Sequence, residues 1–220
     1  MIKTYYPLFL DLESKTVLVI GAGEIASRKA QSLLRARARV TVVGPHPIQR
    51  LIRLGRRGRI RLLARPFQSS DLAKAAIVVA ATNDEHLNRR VSIACQRRRI
   101  WVNVVDRPPL CSFIVPSVIQ RGRLTVAIST GGLSPALSKW LRKTLEKHLG
   151  HYLSTLLQDM ASIRKKALRK LPAPKVRLRI LSDLLHPSIV GLYQRGKSAA
   201  GKRNLVARFE SLCAQEGKRP

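Results

Sequence analysis

Acidic residues are scarce in this chain. Only 12 Asp and Glu stand against 42 Lys and Arg among 220 residues, a formal net charge of +30. Such an excess of positive charge attracts polyanions, and the like charges repel one another. Aromatic residues make up only 5% and are not interleaved with the basic clusters, so no stacking platform for single-stranded nucleic acid is predicted. Three interpretations of the charge stay open: a solvated basic surface, attraction of a polycarboxylate substrate, or a general affinity for nucleic acid.

Cysteine and long apolar runs are also lacking. Cys95, Cys111 and Cys213 are odd in number and widely spaced, which favours a reducing cytoplasm over a disulfide framework or a zinc site. No apolar run approaches the roughly 18 residues that span a bilayer, and the N-terminus lacks the pattern of a secretion signal. Because no Ser/His/Asp order, His-x-x-x-His or Cys/His cluster occurs, a metal cage or a covalent hydrolase is unsupported.

A strand, a glycine turn and a helix follow one another early in the chain. Residues 17–20 form a continuous apolar run, typical of a parallel strand buried on both faces. Gly21 and Gly23 allow a tight turn, and a helix from about Glu24 offers its N-terminal N–H groups to a pyrophosphate. With Ala26 as the small residue between helix and strand, the pattern G-x-G-x-x-A predicts nucleotide binding.

Further strand signals alternate with helices through the first half of the chain. They lie at residues 39–43, 60–63, 77–81 and 100–105, and residues 82–85 can cap a helix that runs to about Arg98. This alternation predicts an α/β fold with a doubly wound parallel sheet.

The pattern changes after this sheet. Residues 112–116 and 123–129 predict an antiparallel strand pair. Ser134 and Pro135 predict a helix start, and the helix behind them has an apolar face made of Leu137, Trp140, Leu141, Leu145 and Leu149. From about residue 151 the chain is predicted to be helical and basic. The polar tail after Gly196 either frays or forms a last helix through Leu205, Phe209 and Leu212.

Three places could carry binding or chemistry. The second strand ends in Gly44, Pro45 and His46, where a dinucleotide fold normally has an acidic residue on the ribose, so a 2′-phosphate is not excluded. His46 is either a phosphate or ribose contact or a solvated loop residue. Asp106 follows the fifth strand at the ligand-binding edge of the sheet. It either orients a substrate or accepts a proton, or it is a turn residue.

The third place is a glycine-containing loop before the second-half helix. It makes either an anion-binding nest, suited to carboxylates or phosphate, or a plain strand-to-helix turn. The nest interpretation gives the candidate substrate-binding residues Ser129, Thr130, Gly131, Gly132 and Ser134.

Seven motifs occur in order and together resemble the precorrin-2 dehydrogenase/sirohydrochlorin ferrochelatase family, the dehydrogenase module of siroheme synthase. The resemblance is strong over about residues 3–150 and loose over the helical remainder. The motifs lie at residues 6–10, 19–30, 40–45, 80–84, 103–106, 112–116 and 129–135.

The resemblance implies NAD-dependent oxidation of precorrin-2, a tetrapyrrole, to sirohydrochlorin, followed in some members by Fe²⁺ insertion to give siroheme. It also implies a Rossmann domain over residues 1–113, a small α+β dimerisation region over 114–150 and a C-terminal helical region over 151–220. These regions assemble as an intertwined homodimer. No membrane and no nucleic-acid partner is expected, and neither is a set of metal-ligand residues.

The resemblance also assigns roles to residues. Asp106 falls on the essential aspartate of the family, and the dinucleotide contacts fall on Gly21, Gly23, Glu24, Ile25, Pro45, His46 and Thr82. Two small residues depart from the common pattern: Ala22 replaces a glycine that many members have, and Gly44 replaces an alanine.

A protein of a different class stays open as an alternative. A non-catalytic NAD(H)-sensing regulator would use the same sheet as a redox switch and its basic helices to bind nucleic acid. It predicts binding with a steep salt dependence and no turnover of a tetrapyrrole.

Overall fold

The computed structural model describes residues 4–216, which separate into two compact units. The first unit contains residues 4–115 and 131–133, and the second contains residues 116–130 and 134–216. Across residues 4–216 no helix combines the length and the apolar character that a bilayer crossing requires.

The first unit is built on a five-stranded parallel sheet, which confirms the predicted doubly wound α/β architecture. The strand order is β3-β2-β1-β4-β5. The strands are β1 (Thr16–Ile20), β2 (Arg39–Val43), β3 (Arg61–Leu63), β4 (Ile77–Ala80) and β5 (Trp101–Val104), and the helices are α1 (Glu24–Arg35), α2 (Gln49–Arg56) and α3 (Glu85–Arg97).

Both faces of the sheet are covered by apolar side chains. Val17 and Val19 of β1 pack in one cluster with Ala26 of α1. Leu18 of β1 lies in a second cluster with Val91 of α3. Because successive side chains of a strand point to opposite faces, the continuous apolar run of β1 serves both layers.

The alternation of strand and helix is interrupted between β3 and β4. This crossover contains only a 3₁₀ turn, Ser69–Lys74, which inserts the buried Leu72 against the sheet. The turn is fixed by Asp71, whose carboxylate accepts from Arg65 at 2.6 Å and from the Gln68 N–H at 2.9 Å. The neighbouring Arg65 guanidinium is the main cause that holds the pKa of Asp71 below its ordinary value.

The prediction of a strand at residues 112–116 is wrong. Residues 111–113 lie beside β5, but polar side chains make most of the hydrogen bonds to that strand. The antiparallel pair is instead β6 (Ser117–Arg121) and β7 (Leu124–Ile128). A two-residue turn joins them, with Gly122 at a φ of +59° in its first position, and this turn sets the register.

The second unit continues from this strand pair into helices. They are α4 (Pro135–His148), α5 (Tyr152–Lys170), α6 (Pro174–Asp183), α7 (Pro187–Gln194) and α8 (Ser198–Glu216). Of the two outcomes for the polar tail, the last helix is confirmed and fraying is wrong over residues 198–216. Leu205 and Phe209 of α8 are fully buried in the helical core, which gives that helix its tertiary support. The last four residues of the tail lie outside the described part of the chain.

A polar cluster sits inside the helical core. The Tyr193 hydroxyl donates to the buried Asp159 carboxylate at 2.8 Å, and Lys202 lies 3.2 Å from the same carboxylate. Burial is the first cause that raises the pKa of Tyr193, and its bond to Asp159 is the second. The cluster therefore satisfies a buried charge and fixes how α5, α7 and α8 meet.

Candidate functional site

A cleft of about 690 Å³ opens at the carboxyl end of the parallel sheet. This edge is where open α/β folds bind ligands, and the volume suits a small molecule or cofactor. Six of the seven predicted cofactor residues line it: Gly21, Gly23, Glu24, Ile25, Pro45 and Thr82. The seventh, His46, is exposed at a φ of +55° and is not part of the lining.

The glycine turn in this cleft fits a dinucleotide. Gly21 has a φ of +116°, and a Cβ at this position would collide with the Ala81 carbonyl. At Gly23, by contrast, no described residue other than its two chain neighbours has an atom within 4 Å of a Cβ position. Helix α1 begins after Gly23 without a side-chain cap, so its first N–H groups stay available for a pyrophosphate.

The two departures from the family pattern are neighbours in space. A Cβ on Gly44 would meet the Ala22 Cβ at 2.9 Å and the Ala22 N at 3.0 Å. Ala22 itself is buried in the cluster beneath α1. The methyl group of Ala22 therefore fills the space that an alanine at position 44 would need.

Thr82 is held in the cleft wall by a residue that the sequence did not suggest. Its hydroxyl lies 2.9 Å from the Asn88 Oδ1, and the Asn88 amide donates to the Thr82 carbonyl at 3.0 Å. Asn88 is buried on α3, while Asp84 caps the same helix through the Leu87 N–H at 3.0 Å. The loop after β4 is thus fixed at both ends.

Other lining residues were also missed by the sequence analysis. Pro66 and Phe67 form an apolar wall of the cleft, and Arg90 of α3 is a cation among the lining residues. No local motif marks these positions, because the loop after β3 and the orientation of α3 bring them to the cleft. Arg90 could bind a phosphate, and Phe67 could contact a base.

Asp106 occupies a strained turn at the end of β5. The Arg107 N–H donates to the Val104 carbonyl at 3.2 Å, which closes a β-turn with Asp106 in its third position. The φ of Asp106 is +58°, a conformation usually left to glycine or asparagine. Its side chain is exposed, and it lies outside the lining of the dinucleotide cleft. Arg107 next to it pairs with Glu85 of α3.

Lys29 of α1 lies within electrostatic reach of Asp106. Burial is the main cause that lowers the pKa of Lys29, and Arg28 lowers it further. Asp106 and Cys111 act in the opposite direction and favour the charged form. This pair of opposite charges joins two sequence-distant elements, so the sequence analysis had no signal for it.

The predicted substrate-binding loop is held by its own hydrogen bonds. The Thr130 hydroxyl accepts from the Ser134 N–H at 3.0 Å and lies 3.2 Å from the Ser138 Oγ, while Ser134 caps α4. Gly131 and Gly132 both have positive φ, at +64° and +88°. A turn therefore explains the loop without a ligand, and substrate binding by Ser129, Thr130, Gly131, Gly132 and Ser134 stays a prediction.

Two family models match successive parts of this chain. A family model described as NAD(P)-binding matches residues 8–117, and one described as "Sirohaem biosynthesis protein central" matches residues 121–148. The first match covers half of the chain and contains the whole parallel sheet with its cleft. The matched family description thus agrees with a dinucleotide cofactor for the parallel-sheet part of the chain.

Curated relatives include siroheme synthases from several bacteria. The one from Thioalkalivibrio sulfidiphilus is 39% identical over 94% of this chain and 42% of its own length. The one from Nitrosospira multiformis is 38% identical over 94% of this chain and 45% of its own length. The chain thus spans less than half the length of these relatives.

A solved structure is similar over its whole length. SirC, a precorrin-2 dehydrogenase, is 26% identical and superposes with a TM-score of 0.78, with 94% of this chain and 100% of that chain covered.

Proposed function

The chain belongs to the NAD(P)-binding family of siroheme synthase modules and precorrin-2 dehydrogenases, and on that premise we propose that it oxidises precorrin-2 to sirohydrochlorin with NAD⁺. The similarity to SirC carries this proposal, because it covers all of that enzyme and includes the second unit as well as the sheet. The chain spans less than half the length of these siroheme synthases, so the activities of their remaining length are not part of the proposal.

The residues of the cleft would bind and orient the cofactor. The uncapped start of α1 would hold the pyrophosphate, and the open space at Gly23 would allow the backbone to approach it. Thr82, fixed by Asn88, would contact the cofactor from the loop after β4. When bound, NAD⁺ supplies the hydride acceptor.

Asp106 would act on the substrate. Removal of a hydride leaves positive charge on the macrocycle, and a carboxylate beside it can stabilise that charge and accept the proton that leaves with it. The exposed side chain and the fixed turn suit this role. The cationic surface would attract the carboxylates of the tetrapyrrole.

The first prediction concerns Asp106→Asn. We expect sirohydrochlorin formation to fall by a factor of about 100 or more, because the amide cannot accept a proton. Asparagine tolerates the positive φ, so the fold and NADH affinity should stay as in the wild type. The measurement is anaerobic incubation with precorrin-2 and NAD⁺, followed by absorbance, alongside NADH titration.

The control for this experiment is Asp183→Asn, which changes an exposed carboxylate of α6 in the second unit. It should keep wild-type turnover. Wild-type rates in Asp106→Asn would contradict the assigned role. An unmodified protein that binds NADH but never turns over precorrin-2 would favour the sensing regulator instead.

Iron insertion would be a further step of the same site. Residues 4–216 contain no group of three or more His, Cys, Asp or Glu side chains arranged to hold a metal ion. Fe²⁺ would therefore enter as a substrate, with Asp106 as the group able to take pyrrole protons. Addition of Fe²⁺ after complete oxidation, followed by the siroheme spectrum, tests this step.

We also infer a homodimer in the cytoplasm. The apolar face of α4 is exposed in the single chain, with Leu137 at 47% and Trp140 at 59% exposure, and exposed apolar patches of this kind mark association sites. The family resemblance supports a second copy as the occupant. A reducing compartment fits the scarcity of cysteine.

A further inference from the structure

The turn that carries Asp106 is closed at its base by a buried thiol. The Cys111 Sγ lies 3.2 Å from both the N and the O of Val104, and 3.3 Å from the Arg107 carbonyl. Val104 and Arg107 are the first and last residues of the β-turn that contains Asp106. One side chain therefore contacts both ends of the turn.

The segment around this thiol is fixed to the edge of the sheet. The Ser112 hydroxyl accepts from the Val102 N–H at 2.8 Å, and the Ser112 N–H donates to the Val102 carbonyl at 2.8 Å. The Asn103 amide donates to the Phe113 carbonyl at 3.1 Å and approaches the Cys111 Sγ at 3.6 Å. These bonds place Cys111 rigidly against β5.

The base of this turn is buried, whereas its tip, which carries Asp106, is exposed. Cys111 is only 4% exposed, whereas Asp106 at the tip is exposed and has a positive φ. An L-residue in this conformation persists only where its surroundings hold it. The contacts of Cys111 with Val104 and Arg107 supply that restraint on both sides of Asp106.

We propose that Cys111 is a positioning residue for catalysis: its thiol holds the Val104–Arg107 turn so that the Asp106 carboxylate meets the substrate in one orientation. This inference rests on the proposed function of Asp106. The thiol neither touches the substrate nor changes covalently. It acts as a hydrogen-bond donor and acceptor to the backbone.

The test compares Cys111→Ala, Cys111→Val and Cys111→Ser with Cys95→Ala. Cys95 is a matched control, because it is a fully buried cysteine of the same apolar cluster but lies on α3 away from the turn. Burial raises the pKa of Cys95 to about 11, so its thiol stays neutral throughout the assay. Each variant is assayed for kcat, for KM of NAD⁺ and for hydrogen exchange at the Val104 amide.

We expect Cys111→Ala and Cys111→Val to lower kcat about ten-fold or more, since small misplacements of a reacting group cost rates of this order. KM for NAD⁺ should stay within about two-fold, because the dinucleotide cleft does not include Cys111. Cys111→Ser should recover most of kcat, since its hydroxyl can replace the thiol hydrogen bonds. Exchange at Val104 should be faster in the alanine and valine variants only.

Three results would overturn the inference. The first is that Cys111→Ala and Cys111→Val have the same kcat as Cys95→Ala. The second is that hydrogen exchange at the Val104 amide is the same in these variants as in the wild type. The third is that Cys111→Ser does not recover the kcat that Cys111→Val loses. The last would mean that Cys111 only fills space. Failure of the proposed function would look different: wild type and Cys95→Ala would both lack turnover, while exchange at Val104 would still report whether the thiol holds the turn.

Discussion

At the residue scale, Ala22 and Gly44 share one small space beside the cofactor cleft. The methyl group of Ala22 occupies it, and Gly44 leaves it open. A second methyl group at position 44 would therefore compete with that of Ala22 for one volume. Since interiors are close-packed, two changes that offset each other in volume are tolerated better than either change alone.

This pair gives a prediction for stability. Gly44→Ala should destabilise the protein by about 1–3 kcal/mol through overpacking, and Ala22→Gly by about 1 kcal/mol through the lost methyl group. The double variant should recover at least about 1 kcal/mol of the summed loss, measured as a coupling free energy from urea unfolding. Recovery will be partial, because a Cβ at position 44 also approaches backbone atoms of Gly21 and Ala22. Strict additivity would show that the two positions do not interact.

Sequence reasoning reached some site residues and not others, for a physical reason. Gly21 and Gly23 were predictable because a local turn requires glycine there. The position of Asp106 after an apolar strand left a turn residue equally open, and its catalytic role came from the family resemblance and stays a prediction.

Asn88 lies only six residues from Thr82, but a strand-loop-helix pattern does not specify that contact. Lys29 and Arg90 gave no signal, because Lys29 acts on Asp106 far along the chain and Arg90 reaches the cleft only through the fold. Their roles depend on tertiary distances, which a local pattern does not contain.

At the scale of elements, the two sides of α4 have different surroundings. Its buried side supports the strand pair, where the Arg121 guanidinium donates to the Leu149 carbonyl at 2.9 Å beyond the helix end. Its other side presents Leu137, Trp140 and Leu145 to solvent. A helix apolar on a face that its own unit leaves uncovered is well suited to a second copy.

The prediction for this element is that Trp140→Glu abolishes the proposed homodimer. A central tryptophan anchor is worth about 2 kcal/mol or more in an interface, or roughly thirty-fold in Kd. Light scattering after size-exclusion chromatography at graded concentrations measures the change. Lys139→Glu is the control, since this exposed lysine lies on the same helix outside the apolar face. Equal dimerisation in all three proteins would exclude α4 as the interface.

Element prediction from sequence succeeded where periodicity was strong and failed where side chains replaced the backbone ladder. The apolar runs of β1 and β4 were found because burial on both faces leaves a continuous signal. The segment at 112–116 also looked like a strand, yet Ser112 and Asn103 make the bonds that a ladder would make. The missing helix between β3 and β4 likewise depends on how one residue, Leu72, covers the sheet.

At the scale of the whole molecule, the dominant property is the charge of +30. Composition alone reveals it, but the sequence does not say what it serves. If it concentrates a polycarboxylate substrate, the effect must weaken with salt, because the Debye length falls from about 10 Å at 0.1 M to about 3 Å at 1 M.

The corresponding prediction compares how the KM values of the two proposed substrates, precorrin-2 and NAD⁺, depend on salt. KM for precorrin-2 should rise at least about five-fold between low salt and 0.5 M KCl, whereas KM for NAD⁺, which carries far less charge, should change less than about two-fold. Steady-state kinetics across a KCl series measures both. The same ratio of KM values at every salt concentration would contradict a role of the net charge in substrate capture.

The left-handed backbone conformation of Asp106 has a consequence for how functions are assigned to related sequences. Asparagine suits that conformation at least as well as aspartate, and a single transition in the codon converts one into the other. Under the catalytic role proposed for Asp106, a lineage with this change would keep a well-folded, dinucleotide-binding protein that has lost its activity. Homologues recognised by overall likeness alone should therefore be sorted by this one codon before an enzymatic role is assigned to them.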